Sequence, residues 1–484
     1  MIKKYSNYLI SGALFLGVLL VFLPVISNGF INWDDGAYIY NNKLIQGFSL
    51  QNVRTIFFSA HQGQWIPLTY LVFMFNYLIA GLNPKIFHFS SLLFHSLNTV
   101  LVFFLFKNLI TNFVSKRVVL GCVFAAFFAF LWGVHPLRVE SVAWACELKD
   151  VLSGFFVLVT FLLLLEFYKS RKELWRFWAL IAYVFALMAK PVAIFVPGLL
   201  IFLVSVNYWV NQDLEELKFL LKKTISFFVL AVSVSVFTLM IHKSSGALTG
   251  VSCNLFKGRT LFILHNYFFY IKKTLMSVNL ELFYPMVKGY QGFLYLFEAG
   301  IFLFGFLGAV VLFAHKRFMI IFIALGCYII AVFVNIGFFQ SGPQAVADRF
   351  SYLSTLSLFY LVAVFCVLIY LKIEKSRFRQ IAIIIFVLVF MVLGSFNICK
   401  TRKQISFWKD SVSFWEKVVG GGRPMPYFVY SNLGVAYEMK SIKSREPKIL
   451  IEKAVVQYKK ALELNPNSRE VAANLKNAYR RLSL

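Results

Sequence analysis

Charge is what this sequence has least of: only 14% of its 484 residues are Asp, Glu, Lys or Arg, against 60% hydrophobic ones. A soluble domain normally carries about 25% charged residues, so an ordinary soluble enzyme and a disordered chain are both excluded. Acids are scarcer still, 21 against 48 Lys and Arg, a formal net charge of +27. In a soluble chain that excess would point to nucleic acid. Here the cations fall in short clusters between apolar runs, so they read as topology signals and nucleic acid is not an expected partner. Six cysteines are too few for a disulfide scaffold. Cys122, Cys327 and Cys366 sit inside apolar runs as small hydrophobes, and nothing in the sequence pairs Cys146 with Cys253, although both fall on the same expected face.

What the chain has in abundance is apolar length. Runs of about twenty nearly uncharged residues predict an all-α polytopic membrane helix bundle of about eleven spans. They fall at roughly 8–27, 86–108, 118–134, 150–168, 175–190, 191–209, 222–241, 295–314, 317–338, 349–371 and 380–398. Lys3 and Lys4 precede the first run, and no small-residue cleavage site follows it, which predicts an uncleaved first span. The stretch 261–284 is apolar and aromatic but interrupted by Lys272, Lys273 and Pro285, and reads as an interfacial helix.

Alternate connections are rich in Lys and Arg: Lys3 and Lys4, Lys116 and Arg117, Lys169 to Arg176, Lys218 to Lys223, Lys316 and Arg317, and Lys372 to Arg379. The positive-inside rule places these in the cytoplasm and the remaining loops, with everything after about Cys399, outside.

The outer loops carry the candidate chemistry. Asp34 and Asp35 lie just past the first span, beside Trp33, where an unpaired charge is costly. His135-Pro136-Leu137-Arg138-Val139-Glu140-Ser141-Val142-Ala143-Trp144 follows the third run and leads into Glu147-Leu148-Lys149-Asp150. Lys190-Pro191 and Asp348-Arg349 are further charges at expected outer ends. Structural pairing of Arg138 with Glu140 or Glu147 is an alternative to a chemical role. The segment between Gln64-Trp65-Ile66-Pro67-Leu68-Thr69 and Gly81-Leu82-Asn83-Pro84 is expected to lie along the membrane surface, with Phe87-His88 just beyond it.

In the C-terminal part, Leu433-Gly434 and Tyr437, then Ala454, Tyr458, Ala461 and Pro466, follow the offsets of a tetratricopeptide repeat with an insertion of about eight residues around Lys440 to Lys448. Leu475 and Tyr479 repeat Leu433 and Tyr437 at the same enlarged period. About one and a half repeats are too few to bury their own faces, so they are expected to lean on an aromatic platform near Phe407 to Val419. The expected domains are therefore 1–399 in the membrane, a connecting helix 400–426, and a repeat domain 427–484.

Together, the acidic pair, Trp65-Ile66-Pro67-Leu68-Thr69, Gly81-Leu82-Asn83-Pro84, Phe87-His88, the His135 to Trp144 stretch, Lys149-Asp150, Lys190-Pro191 and Asp348-Arg349 resemble the transmembrane and tetratricopeptide-repeat O-mannosyltransferases and their prokaryotic relatives. Those belong to the GT-C class of membrane glycosyltransferases. Glu147 departs from the pattern, which would place a basic residue there. The resemblance implies a multi-pass protein of a bacterial or archaeal cytoplasmic membrane, with its active site outside. It would transfer a sugar, by default mannose, from a polyprenyl-phosphate carrier to a Ser or Thr hydroxyl of a protein.

The resemblance assigns the base to Asp34 or Asp35, of which Asp34 is favoured, with Asp35 orienting it or a metal. Arg138, Lys190 and Arg349, cations at the expected outer boundary, are candidates to hold the carrier phosphate. His88, His135, Glu140, Lys149, Asp150 and Asp348 would support them, and Tyr430, Asn432, Tyr437 and Asn474 would line an acceptor groove in the repeats. Cations alone suffice for a phosphate leaving group, so no obligatory metal is expected, although paired carboxylates at Asp34 and Asp35 could hold a divalent ion. A transporter or lipid flippase is the competing reading. It accounts for boundary charges but gives no reason for an outer repeat.

Overall fold

The computed structural model describes residues 2–59, 61, 63–114, 117–244, 256–286, 292–313, 319–337, 343–374 and 376–483. Lys116, Lys316, Arg317 and Cys253 lie outside these. The fold is helical throughout. Among the described residues the β pairing amounts to two isolated bridges, His61 with Gln64 and Pro285 with Gln344.

The helices run α1 (Ile2–Phe22), α2 (Leu50–Phe58), α3 (Pro67–Ala80), α4 (Pro84–Phe113), α5 (Val118–Gly133), α6 (Val139–Ala143), α7 (Leu148–Ser170) and α8 (Glu173–Ala189). They continue as α9 (Phe195–Asn211), α10 (Leu214–Ser244), α11 (Phe256–Leu275), α12 (Gly292–Phe313), α13 (Met319–Val332), α14 (Ser351–Ser354), α15 (Leu356–Ile373) and α16 (Arg379–Phe407). Four more complete the chain: α17 (Ser411–Val419), α18 (Tyr427–Ser441), α19 (Pro447–Leu464) and α20 (Arg469–Leu482).

Eight helical stretches among the described residues are long and apolar enough to cross a membrane, and nine if a bent pair counts as one span. They correspond to eight of the eleven expected spans; the differences lie in the other three. The run at 118–134 is α5, which bends by 55° into the Pro136–Ala143 segment. Pro136 removes a helical donor there and forces the break. The run at 175–190 is α8, of seventeen residues, and the run at 317–338 contributes a shorter apolar helix, Met319–Asn335. All three are packed into the bundle, α5 on α4, α8 on α7 and α13 between α9 and α15.

One further expectation is corrected. The stretch 261–284 is helical only as far as Leu275; α11 packs on α12 through Tyr267 stacked on Phe302 at 5.1 Å, and the chain beyond it reaches the site as an irregular strap. Lys272 and Lys273 lie in the last turn of the helix, where cations are favoured, and Lys272 pairs with Glu298 of α12 at 2.8 Å. The segment 67–80 is a helix with one face in the core and the other exposed: Tyr70, Phe73 and Met74 of α3 are buried, Phe75, Leu78 and Ile79 are exposed, and Thr69 donates to the Ala189 carbonyl of α8 at 2.9 Å.

The end of α1, the starts of α4, α7, α9 and α15, and the ends of α5, α8 and α16 gather at one end of the bundle, the end that carries Asp34 and Arg138. The opposite end collects the described basic links, where Arg171 pairs with Glu216 at 2.6 Å, Lys223 with Glu173 at 2.6 Å, and Arg117 with Glu374. No break occurs at residue 399, because α16 runs on to Phe407, held by Thr401 on the Val134 carbonyl (2.8 Å) and Arg402 on the Leu20 carbonyl (2.7 Å). Beyond it α17, not a helix over 400–426, forms the aromatic platform, and one continuous apolar core joins it to α1, α4 and α18 to α20.

Candidate active site

The loop after α1 is a strap tied down at every step. Gly29 donates to the Lys409 carbonyl (2.8 Å) and lies against His88 of α4, whose Nε2 is 3.3 Å from the Gly29 carbonyl. The Asn32 backbone donates to Ser411 Oγ (2.8 Å), its side-chain amide donates to the Asn432 carbonyl (2.9 Å), and its amide oxygen accepts from Trp415 Nε1 (2.8 Å). Trp33 stacks on Trp144 with centroids 4.7 Å apart and touches Phe414, Trp415 and Phe283. The loop is thus wedged between the bundle and the C-terminal helices.

This anchoring separates the two acids. Asp35 is fully buried and faces inward, accepting from the Ile31 N–H (2.8 Å) and from the Cys146 N–H (2.9 Å), one bond to each oxygen. Burial pushes its carboxyl up to about 7, against the pull of those two N–H donors. It is a brace between the strap and the start of α7. Asp34 is half-buried and has no hydrogen bond or ion pair with any described residue. Burial raises its pKa, opposed by the charges of Lys149 and Arg349 and aided by Glu147. Both Asp35 oxygens are thus aimed at backbone amides, while Asp34 faces the charged network. Among the described residues no group of three His, Cys, Asp or Glu side chains forms a metal cage.

Around Asp34 lies a network of alternating charge. Lys149 pairs with Glu147 at 3.2 Å and sits 4.4 Å from the centre of the Tyr38 ring. Lys190, held at the break between α8 and α9 by Pro191, reaches Asp150 closely and Glu147 at 3.3 Å. Arg349 pairs closely with Glu140, whose second oxygen accepts the Arg349 backbone N–H at 2.9 Å, and its Nε lies 3.5 Å from Glu147. Arg349 also covers the Trp144 ring at 5.4 Å, so the indole is sandwiched between the guanidinium and Trp33. Ser141 donates to Asp150 at 3.2 Å. Each buried charge is thus paired, as a low-dielectric position requires.

Three expected participants sit apart from this network. Arg138 is fully buried and spends its guanidinium on the chain before α15: Nη1 donates to the Ser351 and Tyr352 carbonyls (2.9 and 2.7 Å), Nη2 to Ser351 Oγ and Thr355 Oγ1 (2.9 and 3.1 Å). It ties α15 to the bend after α5, and pairs with neither Glu140 nor Glu147. His135 caps the Pro136 turn, accepting from the Leu137 N–H, with Nε2 2.8 Å from Ser277 Oγ. Asp348 accepts from the Tyr284 hydroxyl at 2.9 Å, and burial raises its pKa well above the usual range.

In the C-terminal helices Tyr437 donates to Glu416 (2.7 Å), Tyr430 lies under Lys460 at 4.5 Å, Asn432 offers its carbonyl to Asn32, and Asn474 is half-exposed on α20. The first three face α17, α19 and the strap, and Asn474 stands apart from them. Sequence reasoning missed Asn32, Tyr38 and Tyr284. The Asn beside Trp33 at a span boundary was the available signal for the first.

Fold and site together define a multi-pass helical membrane protein with an unpaired carboxylate facing a cation network at one end of its bundle. No family model matches the chain. Among curated proteins it is 29% identical over 150 residues, 30% of its length, to protein O-mannosyl-transferase Tmtc1 of Drosophila melanogaster. It is 31% identical over 96 residues to protein O-mannosyl-transferase TMTC3 and 31% over 144 residues to protein O-mannosyl-transferase TMTC4, both of Homo sapiens. The chain covers only 16%, 9% and 19% of these three relatives. The family named from the motifs is thus the family these relatives represent. Among solved structures, an Archaeoglobus fulgidus oligosaccharyltransferase tethered to an acceptor peptide aligns with 93% of this chain and 59% of its own at 12% identity and a TM-score of 0.48, a likeness too slight to argue from.

Proposed function

We propose that this protein is an inverting membrane glycosyltransferase that moves a sugar, mannose by default, from a polyprenyl-phosphate carrier to a Ser or Thr hydroxyl of a protein outside the membrane. The observation that carries the reading is Asp34: a carboxylate without a hydrogen-bond partner among the described residues, under the charges of Lys149 and Arg349, which share Glu147 with Lys190. Asp34 takes the acceptor's proton as its oxygen attacks the anomeric carbon. The bond from that carbon to the carrier phosphate breaks, and the phosphate leaves with the electron pair.

Lys149, Lys190 and Arg349 stabilise the charge that develops on the phosphate. Asp35 positions the strap, and Arg138 acts by holding Arg349's segment in place rather than by touching phosphate. The metal-free character of the chemistry belongs to the same proposal, since cations can do this work alone. So does an acceptor role for the C-terminal helices, supported by their direct contact with the strap through Asn432 and Trp415.

The test is Asp34→Asn in purified protein with a polyprenyl-phosphate sugar and an acceptor peptide. Transfer should fall by about a hundredfold or more with the melting temperature kept, because the amide keeps size but cannot take a proton. In the wild type the rate should drop as pH falls through the raised pKa of Asp34. Near-normal transfer by the variant would remove Asp34 from the chemistry.

A further inference from the structure

Glu147 stands where the sequence pattern would place a cation, yet the structure puts it at the centre of three. Its carboxylate reaches Lys149 at 3.2 Å, Lys190 at 3.3 Å and Arg349 at 3.5 Å, and it is almost completely buried. These are long contacts, since strong charge-assisted hydrogen bonds to carboxylate fall at about 2.7–2.9 Å. Two of the three cations have another, closer anion: Lys190 has Asp150 and Arg349 has Glu140. Glu147 is therefore shared by all three and tightly held by none. The two-oxygen carboxylate fills a position with three converging cations, which the three terminal oxygens of a phosphate monoester would fill better.

We propose that Glu147 is an internal counter-anion that occupies the carrier-phosphate position in the unliganded protein and competes with the phosphate for it. This rests on the glycosyltransferase reading above and deepens it. The competition fixes the class of leaving group. Counting the full network, Lys149, Lys190 and Arg349 face Glu140, Glu147, Asp150 and the nearby Asp34, so no positive charge is left over for a highly charged ligand while Glu147 is in place. Displacing Glu147 frees Lys149 and releases the longer contacts of Lys190 and Arg349, so that all three can face one phosphate while Lys190 and Arg349 keep Asp150 and Glu140. That suits a polyprenyl monophosphate and disfavours a diphosphate, whose extra charge would meet Glu140 and Asp150. The monophosphate also gains charge as the sugar departs, so the three cations hold the leaving group better than the intact donor.

The experiment is equilibrium binding of two probes, a short-chain polyprenyl monophosphate and the matching diphosphate, to full-length protein in detergent. Wild type should prefer the monophosphate. Glu147→Gln, which keeps shape but removes the competing charge, should bind the monophosphate about tenfold more tightly and lose most of its discrimination against the diphosphate. A merely structural residue would not give tighter binding when altered. Should Glu147→Gln not hold its fold by thermal melting, Glu147→Asp, which retracts the charge from the three cations, should show a smaller gain in the same direction. A folded variant with equal or weaker affinity, beside a wild type that binds, overturns the counter-anion role and leaves the transferase reading standing. Absence of monophosphate binding in wild type and variants alike overturns the carrier-phosphate reading, and this inference with it.

Discussion

Two adjacent aspartates, one peptide bond apart, end in opposite environments because successive side chains leave the strap on different sides. Asp35 enters the core and Asp34 stays at the charged network. The consequence for Asp35 is a pH dependence of stability. Its folded pKa is raised to about 7 from an ordinary 3.8, so between those values the folded chain holds a proton that the unfolded chain releases. Its contribution is complete below the lower value, declines as pH rises across the window, and is lost above about 7. Asp35→Asn removes that dependence and turns an amide N–H toward a backbone donor, leaving one buried donor without a partner at a cost of about 1–3 kcal/mol. The variant should melt lower than wild type in detergent at pH 5, and the gap should narrow by pH 8. A gap that widens with pH would mean that Asp35 is held ionised, and its brace role would need another account.

At the scale of elements, the active loop is one side of a joint. Asn32 connects the strap to α17 and α18 through Ser411, Trp415 and Asn432, which stand 379, 383 and 400 residues away in sequence. Asn32→Ala would leave the Trp415 Nε1 and the Asn432 carbonyl without these partners and loosen the chain two residues before Asp34. Because misplacement of a reacting group by about 1 Å can cost a hundredfold in rate, turnover should fall at least tenfold while carrier binding changes little. If carrier affinity falls as steeply as turnover, the joint supports the cation network instead. Much of this architecture was legible beforehand. Apolar length marked the helices of the bundle, and the cost of charge at a membrane boundary marked Asp34, Glu140, Lys149, Asp150, Lys190 and Arg349. What could not be read was partnership. Nothing near Arg138 in sequence indicates that Ser351 and Thr355 will absorb its donors, and nothing beside Glu147 shows that three cations converge on it. The helical limits of α11, α13 and α16 were likewise settled by packing against distant helices.

For the whole molecule, the bundle sorts charge by end. The described basic links lie opposite the Asp34 network, and α17 to α20 are docked on the strap, so the C-terminal helices must share the side of Asp34. By the positive-inside rule the basic end is expected in the cytoplasm and the site outside, which labelling can decide. Gln51 in α2 and Lys448 in α19 are exposed, whereas Lys172 is exposed in the link at the opposite end. In a background with its six native cysteines replaced, Gln51→Cys and Lys448→Cys should react with an impermeant thiol reagent added outside intact cells, and Lys172→Cys should react only after permeabilisation. The pairing of the first two tests the fold, because Gln51 lies in the region that follows the strap and Lys448 on α19, which packs on the α18 that Asn32 holds; the contrast with the third tests orientation. Labelling of Gln51→Cys and Lys448→Cys from opposite sides would contradict the docking of α18 on the strap. Labelling of Lys172→Cys alone from outside would keep the fold and reverse the membrane sidedness, moving the proposed transfer to the cytoplasmic face.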